Sequence, residues 1–490
     1  LETHSSVLLR SDREGGYMMK VLFAASECVP FVKTGGLADV VGALPKEILK
    51  NNVDVRVILP LYREIPKSWR DKMTHKLYFY VNLGWRRQYC GIEELVYEGI
   101  TFYFVDNEYY FGRPALYGYY DDGERFAYFS KAAMAALYYI DFKPDILHCH
   151  DWETAMGVVY CRALYGQWCP YVKTVFTIHN VEYQGWADPT FFDNTLGLPE
   201  EYRCKLNFDG AVNMMKGAIE VADIVTTVSK TYAQELCYPY YAHRLDGVLR
   251  SKWLWGITNG IDTKVYDPET DAALAVNYSA KRMEGKWENK LALRKELNLR
   301  TDTDAPILAM VTRLAGHKGI DLLCYIAERL LQRRVQLVII GTGEEKYEWY
   351  LNTLRDRFGD KVSVNLLFDG GLANLVYAAS DLYLMPSKSE PCGLSQLIAM
   401  RMGSVPVVNA TGGLKDTVWP YNEADETGRG FTFQSYNADD FLAAIDRALA
   451  LYYNEPEKWL RLAQNDMAVD SSWDVPAQKY MALFQNVCGQ

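Results

Sequence analysis

Short runs of consecutive apolar residues alternate with longer segments of helical periodicity along most of the chain. In the first half, the segments 20–27, 53–59 and 172–178 are rich in apolar residues, while 36–50 repeats its apolar positions every three or four residues. Strands that are apolar on both faces are typical of parallel sheets covered by helices. The pattern therefore predicts an α/β fold built on a parallel sheet.

One stretch breaks this alternation. Three apolar runs follow one another between residues 77 and 105, with no helical segment between them. Directly consecutive strands are typical of hairpins. We therefore predict an antiparallel appendage here.

The alternation restarts in the second half of the chain. A polar, charge-rich stretch at 281–304 precedes a new series of apolar runs, which extends from 306–311 to 404–410. A chain of 490 residues is also too long for one core, since domains usually hold about 100 to 200 residues. We predict two Rossmann-like, doubly wound domains, 19–260 and 261–470, that face each other across a cleft.

We expect both ends of the chain to lie outside these two domains. Residues 1–18 carry neither a long apolar segment nor a cleavage site of small residues, so we predict a flexible lead with the natural start at Met18 or Met19. Residues 471–490 are predicted to form a helix that packs back on the N-terminal domain.

Composition and charge narrow the classes of function. The chain is 49% hydrophobic and 23% charged, with a net charge of −10. Binding to nucleic acid or to a membrane surface over a broad area needs a basic face, so we expect neither partner. The ten scattered cysteines form no CxxC pair, which argues against a disulfide framework or a zinc ribbon and fits a reducing cytoplasm.

Candidate site residues cluster where predicted strands end. In open α/β sheets, ligands bind at the carboxyl ends of the strands. Residues suited to binding or catalysis follow seven predicted strands, namely Lys33 with Gly35 and Gly36, His150 with Asp151, His179 with Asn180, Arg313 with Lys318, Gly341 with Gly343, Glu390, and Gly412 with Gly413. We therefore expect these side chains to line one cleft.

Glycines and cations in three of these segments predict a site for an anion. Lys33 precedes a Gly-Gly pair at a helix start, where free N–H groups and the helix dipole favour negative charge. A tight turn with a solvated lysine explains this segment equally well on its own. Arg313 and Lys318 lie at a second strand-to-helix turn, and together with the Gly-Gly helix start at 410–418 they favour a bound diphosphate.

Glu390 is the most informative carboxylate of the sequence. It follows a predicted strand and precedes Pro391, and a proline disfavours helix at the residue before it. A carboxylate at this position suits the binding of sugar hydroxyls and of positive charge at an anomeric carbon. A role in capping the next helix is an equal alternative at this point.

Three histidines suggest a metal site that their spacing does not support. His148 and His150 lie on the same side of a predicted strand, and His179 follows another strand. Together with Cys149 they make a poor zinc set without closer pairing. We therefore predict no metal.

Taken in order, the motifs of the chain resemble those of the bacterial glycogen synthases and the related plant starch synthases. The segments that carry the resemblance are "KTGGLADVVGALP", "HCHDW", "TIHNVEYQG", "TVSKTYAQE", "NGIDTKVYDPETD", "TRLAGHKGIDL", "GTGE", "PSKSEPCGLSQLIAMRMGSVPVV" and "TGGLKDTV". They occur in the family's order from about Met19 to the C-terminus. Each motif is weak alone, and together they are highly specific.

The resemblance implies a retaining glycosyltransferase of the GT-B fold with no cofactor. Its donor would be ADP-glucose, and its acceptor the non-reducing end of an α-1,4-glucan or maltooligosaccharide. A UDP-glucose-using or granule-bound starch synthase is an alternative, and a non-catalytic glucan-binding relative is an alternative of another class. A phosphorylase shares this architecture but would need a lysine that carries pyridoxal.

The resemblance also implies a role for each matching residue. Lys33, next to Gly35 and Gly36, would contact the donor diphosphate from the first domain, and Arg313 with Lys318 would clamp it from the second. The other implied contacts are Glu390, Cys392 and Gly393 with the glucose, His179 and Asn259 with its near side, Asp151 and Tyr117 with the acceptor side, Thr411, Gly412 and Gly413 with the diphosphate, and Tyr377 with the base. The implied catalytic set is Glu390, His179, Arg313, Lys318 and Lys33.

Overall fold

The computed structural model describes residues 18–367 and 369–489. Apart from Met18, the predicted flexible lead lies outside these residues. The described chain contains two large sheets, one in each half of the sequence.

The first domain carries a nine-stranded sheet. Its strands and those of a small neighbouring sheet are β1 (Lys20–Ala24), β2 (Asp54–Pro60), β3 (Thr74–Leu83), β4 (Arg86–Tyr97), β5 (Ile100–Asp106), β6 (Ile146–His150), β7 (Lys173–Ile178), β8 (Trp186–Ala187), β9 (Asn207–Phe208), β10 (Ala211–Asn213), β11 (Ile224–Thr227) and β12 (Leu254–Gly256). The large sheet has the order β12-β11-β7-β6-β1-β2-β5-β4-β3, and β8, β10 and β9 form the small one. All pairs from β12 to β5 are parallel, as predicted.

Helices alternate with the parallel strands of this domain. They are α1 (Gly36–Leu49), α2 (Lys67–Arg70), α3 (Glu108–Phe111), α4 (Asp122–Tyr139), α5 (Trp152–Ala163), α6 (Arg203–Leu206), α7 (Met214–Val221), α8 (Lys230–Glu235), α9 (Pro239–Ala242) and α10 (Asp246–Arg250). In α1, the buried residues Leu37, Leu44 and Ile48 recur at helical spacing. This periodicity is what the sequence pattern of 36–50 predicts.

The predicted antiparallel appendage is an extension of the same sheet. β3 pairs with β4 and β4 with β5 in antiparallel fashion, while β5 pairs with β2 in parallel. The turn between β4 and β5 consists of Glu98 and Gly99, with φ of +50° and +80°. Positive φ angles at both residues are typical of a two-residue hairpin turn whose twist matches that of the flanking strands. A two-residue turn leaves no room for a helix, so the strands continue the sheet edge.

The second domain carries a six-stranded, fully parallel sheet. Its strands are β13 (Ile307–Val311), β14 (Gln336–Ile340), β15 (Val362–Asn365), β16 (Leu382–Met385), β17 (Val405–Asn409) and β18 (Phe431–Phe433), in the order β15-β14-β13-β16-β17-β18. The helices of the second half are α11 (Glu284–Glu296), α12 (Ile320–Leu331), α13 (Glu345–Phe358), α14 (Gly370–Ala379), α15 (Ser395–Arg401), α16 (Gly412–Thr417), α17 (Ala438–Asn454), α18 (Pro456–Met467) and α19 (Asp474–Cys488). Among the described helices of both domains, none combines the length and the apolar character that a bilayer crossing requires.

Two hydrophobic cores form, one in each domain. The first contains buried residues from Met19 to Ile257, and the second contains buried residues from Ile261 to Met467. The chain thus passes from one core to the other within four residues. Two parallel-sheet domains with separate cores confirm the predicted fold class.

The last helix, α19, returns to the first domain. Tyr480 and Phe484 of this helix are buried in the first core, together with Trp473 just before it. The ring centroid of Tyr480 lies 5.4 Å from that of His148 on β6. The end of the chain therefore packs directly against a strand whose carboxyl end carries predicted site residues.

Removing one buried ring of α19 should weaken the first domain. Phe484→Ala is expected to lower its free energy of unfolding by about 3–5 kcal/mol, because it deletes a fully buried aromatic side chain. The matched control is Val475→Ala, whose side chain is exposed on the same helix and should change the value by no more than about 0.5 kcal/mol. Urea unfolding followed by circular dichroism measures both. Equal effects of the two substitutions would contradict the packing described for α19.

Candidate active site

The loop between β1 and α1 is closed by a buried carboxylate. Glu27 is only 4% exposed and accepts hydrogen bonds from the backbone N–H groups of Thr34, at 2.5 Å, and Gly35, at 3.1 Å. The Thr34 hydroxyl also donates to Glu27, at 3.0 Å. Two of the N–H groups at the predicted anion site therefore already bind a negative charge of the protein.

Lys33 lies on the outer side of this loop and faces an aspartate. Its Nζ is 2.7 Å from Asp39 Oδ1. Burial raises the pKa of Asp39, and the Lys33 charge opposes that shift. A Cβ placed on Gly36, the first residue of α1, would lie 3.6 Å from Leu394 of the second domain. The start of α1 thus faces the second domain, as the predicted cleft requires.

Asp151 joins the ends of two neighbouring strands. Its φ of +58° lies in the left-handed region, which residues other than glycine rarely adopt. Its Oδ1 accepts from the backbone N–H groups of His179, at 2.6 Å, and Asn180, at 3.3 Å. Burial raises the pKa of Asp151 to about 7, and the two hydrogen bonds act against this shift. Asp151 therefore fixes the His179 backbone from the end of β6.

The three histidines predicted near the cleft are in contact with one another. His150 Nδ1 lies 2.9 Å from His179 Nε2, and the ring centroids of His148 and His150 are 4.1 Å apart. Burial lowers the pKa of His179 to about 3 and also lowers those of the other two rings, so all three are neutral at pH 7. Across the described residues, no group of three or more His, Cys, Asp or Glu side chains is arranged to hold a metal ion.

Tyr117 reaches the same part of the first domain. Its hydroxyl lies 2.8 Å from Ser26 Oγ and 3.2 Å from Glu27 Oε1. Burial raises the pKa of Tyr117 well above its usual value, so the hydroxyl stays protonated and can donate. The predicted acceptor-side residues Tyr117 and Asp151 are thus both held by protein hydrogen bonds at strand ends of one sheet.

Glu390 is a buried carboxylate bound to a cation. It is 6% exposed, and its Oε2 accepts from Lys318 Nζ at 2.7 Å and from Ser387 Oγ at 3.0 Å. Lys318 lies on the turn between β13 and α12, and Arg313 on the same turn is exposed. Two predicted catalytic residues, Lys318 and Glu390, are therefore in direct contact.

The residues after Glu390 meet the first domain. Burial raises the pKa of the Cys392 thiol to about 12, and the neighbouring backbone of Asn259 acts against this shift. Asn259 Oδ1 is buried, and no hydrogen-bond partner is found for it among the described residues. Gly393 has a φ of +71°, which favours glycine. Asn259 thus lies beside Cys392, and its amide oxygen has no partner among the described residues in this conformation.

The Gly-Gly start of α16 uses its N–H groups within the protein. Thr411 N donates to Asn409 O, Gly412 N to Glu235 Oε1 and Gly413 N to Glu390 O, at 2.8, 2.9 and 3.0 Å. A diphosphate at this helix start would have to replace some of these acceptors. The predicted phosphate contacts of Thr411, Gly412 and Gly413 stay a prediction that this conformation does not favour.

Tyr377 lies in the second hydrophobic core. It is 5% exposed, its ring centroid is 5.1 Å from that of Tyr383, and the two hydroxyls are 3.4 Å apart. The structure gives Tyr377 a packing role. Its predicted contact with a base would involve only the small exposed part of the side chain.

Two carboxylates of this region were not predicted from the sequence. Glu27 lies three residues beyond the end of β1, so its position near the carboxyl end of a strand was a usable signal. Glu235 is the last residue of α8, where a glutamate is expected to be solvated. Only its contact with Thr411 and Gly412, 176 and 177 residues later in the chain, reveals its place.

Comparison with known proteins matches both halves of the chain to sugar-transferring families. A family model described as "Starch synthase catalytic domain" matches residues 20–251, and one described as "Glycosyl transferases group 1" matches residues 293–466. A glycogen synthase of Clostridium botulinum (strain Alaska E43 / Type E3) is 48% identical over 476 residues, 96% of this chain and 99% of the relative. A glycogen synthase of Desulforamulus reducens is 49% identical over 475 residues, with 96% and 99% coverage.

The chain belongs to the glycogen synthase family. As a member of the glycogen synthase family it is a hexosyltransferase, and the predicted family is confirmed. The solved catalytic domain of starch synthase IV from Arabidopsis thaliana, bound to ADP and acarbose, has a TM-score of 0.90 at 34% identity and covers 97% of this chain and 100% of its own. Sucrose-phosphate synthase from Thermosynechococcus elongatus, with a TM-score of 0.62 at 18% identity, shares the fold.

The raised pKa of Asp151 predicts a pH-dependent stability in this member of the glycogen synthase family. The folded protein holds the Asp151 proton up to about pH 7, whereas the unfolded chain releases it near pH 4, so the contribution of this group to stability is lost as pH rises through this range. Asp151→Asn keeps an oxygen acceptor and does not titrate. Urea unfolding at a series of pH values should therefore show wild-type stability falling relative to the variant from about pH 4 to 7. A stability difference between wild type and Asp151→Asn that does not change with pH would contradict the raised pKa of Asp151.

Proposed function

We propose that this enzyme transfers glucose from ADP-glucose to the non-reducing end of an α-1,4-glucan, with retention of configuration. The contact between Lys318 and Glu390 carries the proposal, because it puts a cation for a departing diphosphate beside a carboxylate for the sugar. The Arabidopsis relative, solved with ADP and acarbose, supports ADP as the leaving group and a glucan-like acceptor. The ten cysteines are free thiols, which fits a reaction in the reducing cytoplasm.

The cations of the cleft would hold the diphosphate. Lys318 and Arg313 lie on the same turn of the second domain, and Lys33 lies on the first. In the structure described here, Lys318 and Lys33 each pair with a carboxylate. A diphosphate carries more negative charge than one carboxylate, so both ammonium groups would gain by contacting it. Closure of the domains on the donor would bring the two sides together.

Glu390 would act on the sugar rather than on the phosphates. Positive charge develops at the anomeric carbon as the diphosphate leaves, and an ionised carboxylate stabilises it. Lys318 and Ser387 donate hydrogen bonds to Glu390 and fix the position of its Oε2. In this scheme the acceptor hydroxyl attacks from the face that the diphosphate leaves, and the departing phosphate takes its proton.

Neutral polar groups of the first domain would orient the glucose and the acceptor. His179 is neutral and its Nε2 lies 2.9 Å from His150 Nδ1, so Nδ1 is the ring nitrogen that would contact the sugar. The buried Asn259 Oδ1 can accept a bond from a sugar hydroxyl. Asp151 holds the His179 backbone, and Tyr117 completes the acceptor side of this proposal.

A donor panel tests the proposed reaction. The protein is incubated with ADP-glucose or UDP-glucose and a maltooligosaccharide, in EDTA because the proposal includes no metal. We expect glucose transfer with a kcat/KM for ADP-glucose at least about tenfold above that for UDP-glucose. Nuclear magnetic resonance of the product should show new α-1,4 linkages. Preference for UDP-glucose, a β linkage or no transfer with any donor would each contradict a separate part of the proposal.

Replacing the Glu390 charge tests its catalytic role. Glu390→Gln nearly keeps the shape of the side chain, so we expect kcat to fall by about 10² to 10³ while ADP binding changes little. The matched control is Glu345→Gln, an exposed glutamate of α13, which should leave both values unchanged. Steady-state kinetics and calorimetric titration with ADP measure the two effects. Near-normal turnover of Glu390→Gln would remove Glu390 from the mechanism.

A further inference from the structure

Two short helices from different domains cap each other. At the start of α8 in the first domain, Thr231 donates through its backbone N and its hydroxyl to Asp416 of α16, at 2.9 and 2.6 Å. At the start of α16, Thr411 Oγ1 and Gly412 N donate to Glu235 Oε1 of α8, both at 2.9 Å. Each helix therefore supplies the carboxylate that satisfies the other's free N-terminal groups.

The start of α16 is also the support of the Glu390 loop. A Cβ on Gly412 would lie 2.0 Å from Glu390 O, and one on Gly413 would lie 2.1 Å from Cys392 O. Gly413 N donates to Glu390 O at 3.0 Å. The backbone of residues 390–392 thus rests directly on this helix start, at a distance that only glycine permits.

The other end of α8 contacts the same loop. Ser229, the N-cap of α8, accepts from Tyr232 N at 3.1 Å and donates through its hydroxyl to Pro391 O. One helix of the first domain therefore reaches the Glu390 loop directly at its start and through α16 at its end. Local contacts within the second domain are only part of what holds this loop.

We propose that Glu235 is a positioning residue for Glu390. Its Oε1 holds the Thr411–Gly412 turn, and that turn holds the Glu390 backbone, so a carboxylate of the first domain sets the position of the catalytic carboxylate in the second. The proposal rests on the function proposed above for Glu390. In this proposal the Gly-Gly start of α16 binds a carboxylate of the first domain and does not bind the diphosphate.

The alternative is that Glu235 occupies a phosphate site until the donor arrives. A phosphate would then displace Glu235 from Gly412 N and Thr411 Oγ1. In that case, removing Glu235 would remove a competing anion, and ADP would bind more tightly. In our proposal the bonds to Glu235 persist when the donor binds, so removing Glu235 leaves ADP affinity nearly unchanged.

Three variants separate these possibilities. Glu235→Ala removes the acceptor, Glu235→Gln keeps an oxygen acceptor without the charge, and Asp416→Ala removes the two bonds at the opposite end of the same helix pair. We expect Glu235→Ala to lower kcat at least about tenfold, with the donor KM and the ADP dissociation constant within about twofold of wild type. Glu235→Gln should retain kcat within about threefold, because the hydrogen bonds remain.

Asp416→Ala is the control for a loosened domain contact. It loses as many interdomain hydrogen bonds as Glu235→Ala, so the two variants should lose similar amounts of thermal stability. Its kcat should stay within about threefold of wild type, because the Glu235 bonds to the Glu390 support remain. Equal losses of kcat in the two variants would show that Glu235 acts only through domain contact, and would overturn the proposal.

Hydrogen exchange tests the proposal without any assay of activity. Peptides that cover residues 387–395 should exchange faster in Glu235→Ala than in wild type, Glu235→Gln or Asp416→Ala. Unchanged exchange in Glu235→Ala, or tighter ADP binding by it, would overturn the proposal. If wild type transfers no glucose from any donor while the exchange result holds, the proposed reaction fails and the positioning of residue 390 by Glu235 stands.

Discussion

The Glu390 carboxylate is buried, and the structure around the cleft is organised by what a buried charge requires. Lys318 supplies the opposite charge and Ser387 a hydroxyl, while the loop that carries Glu390 is held by backbone contacts from both domains. Burying a carboxylate without such partners would cost free energy, because its oxygens would lose their hydrogen bonds to water. Contacts from three elements therefore meet at Glu390 and Pro391: the turn that carries Lys318 binds the Glu390 side chain, while α16 and the N-cap of α8 bind the backbone.

Other carboxylates near the cleft also have hydrogen-bond or ion-pair partners within the protein. Glu27 binds the N–H groups that precede α1, Glu235 binds those at the start of α16, and Asp39 pairs with Lys33. Lys33 and Lys318 are thus each paired with a carboxylate of the protein.

The fold was predictable because its signals are local, and parts of the site were not because their partners are distant. Apolar runs give the strands, and the carboxyl ends of these strands give Lys33, Asp151, His179, Lys318 and Glu390 from the sequence alone. Glu235 could not be predicted, since a glutamate that ends a helix has the same local pattern whether it faces solvent or another domain. The packing of Tyr377 in the core was likewise visible only in the fold, and its implied contact with a base stays a prediction.

The return of α19 to the first domain bears on how the chain is made. Tyr480 and Phe484 complete a core whose other members begin at Met19, so the first domain lacks part of its interior until these two residues have been synthesised. Domains generally fold as units in the order of synthesis, and exposed apolar surface favours aggregation. During translation, all residues of the second core, which end at Met467, are therefore synthesised before Tyr480 and Phe484 of the first core.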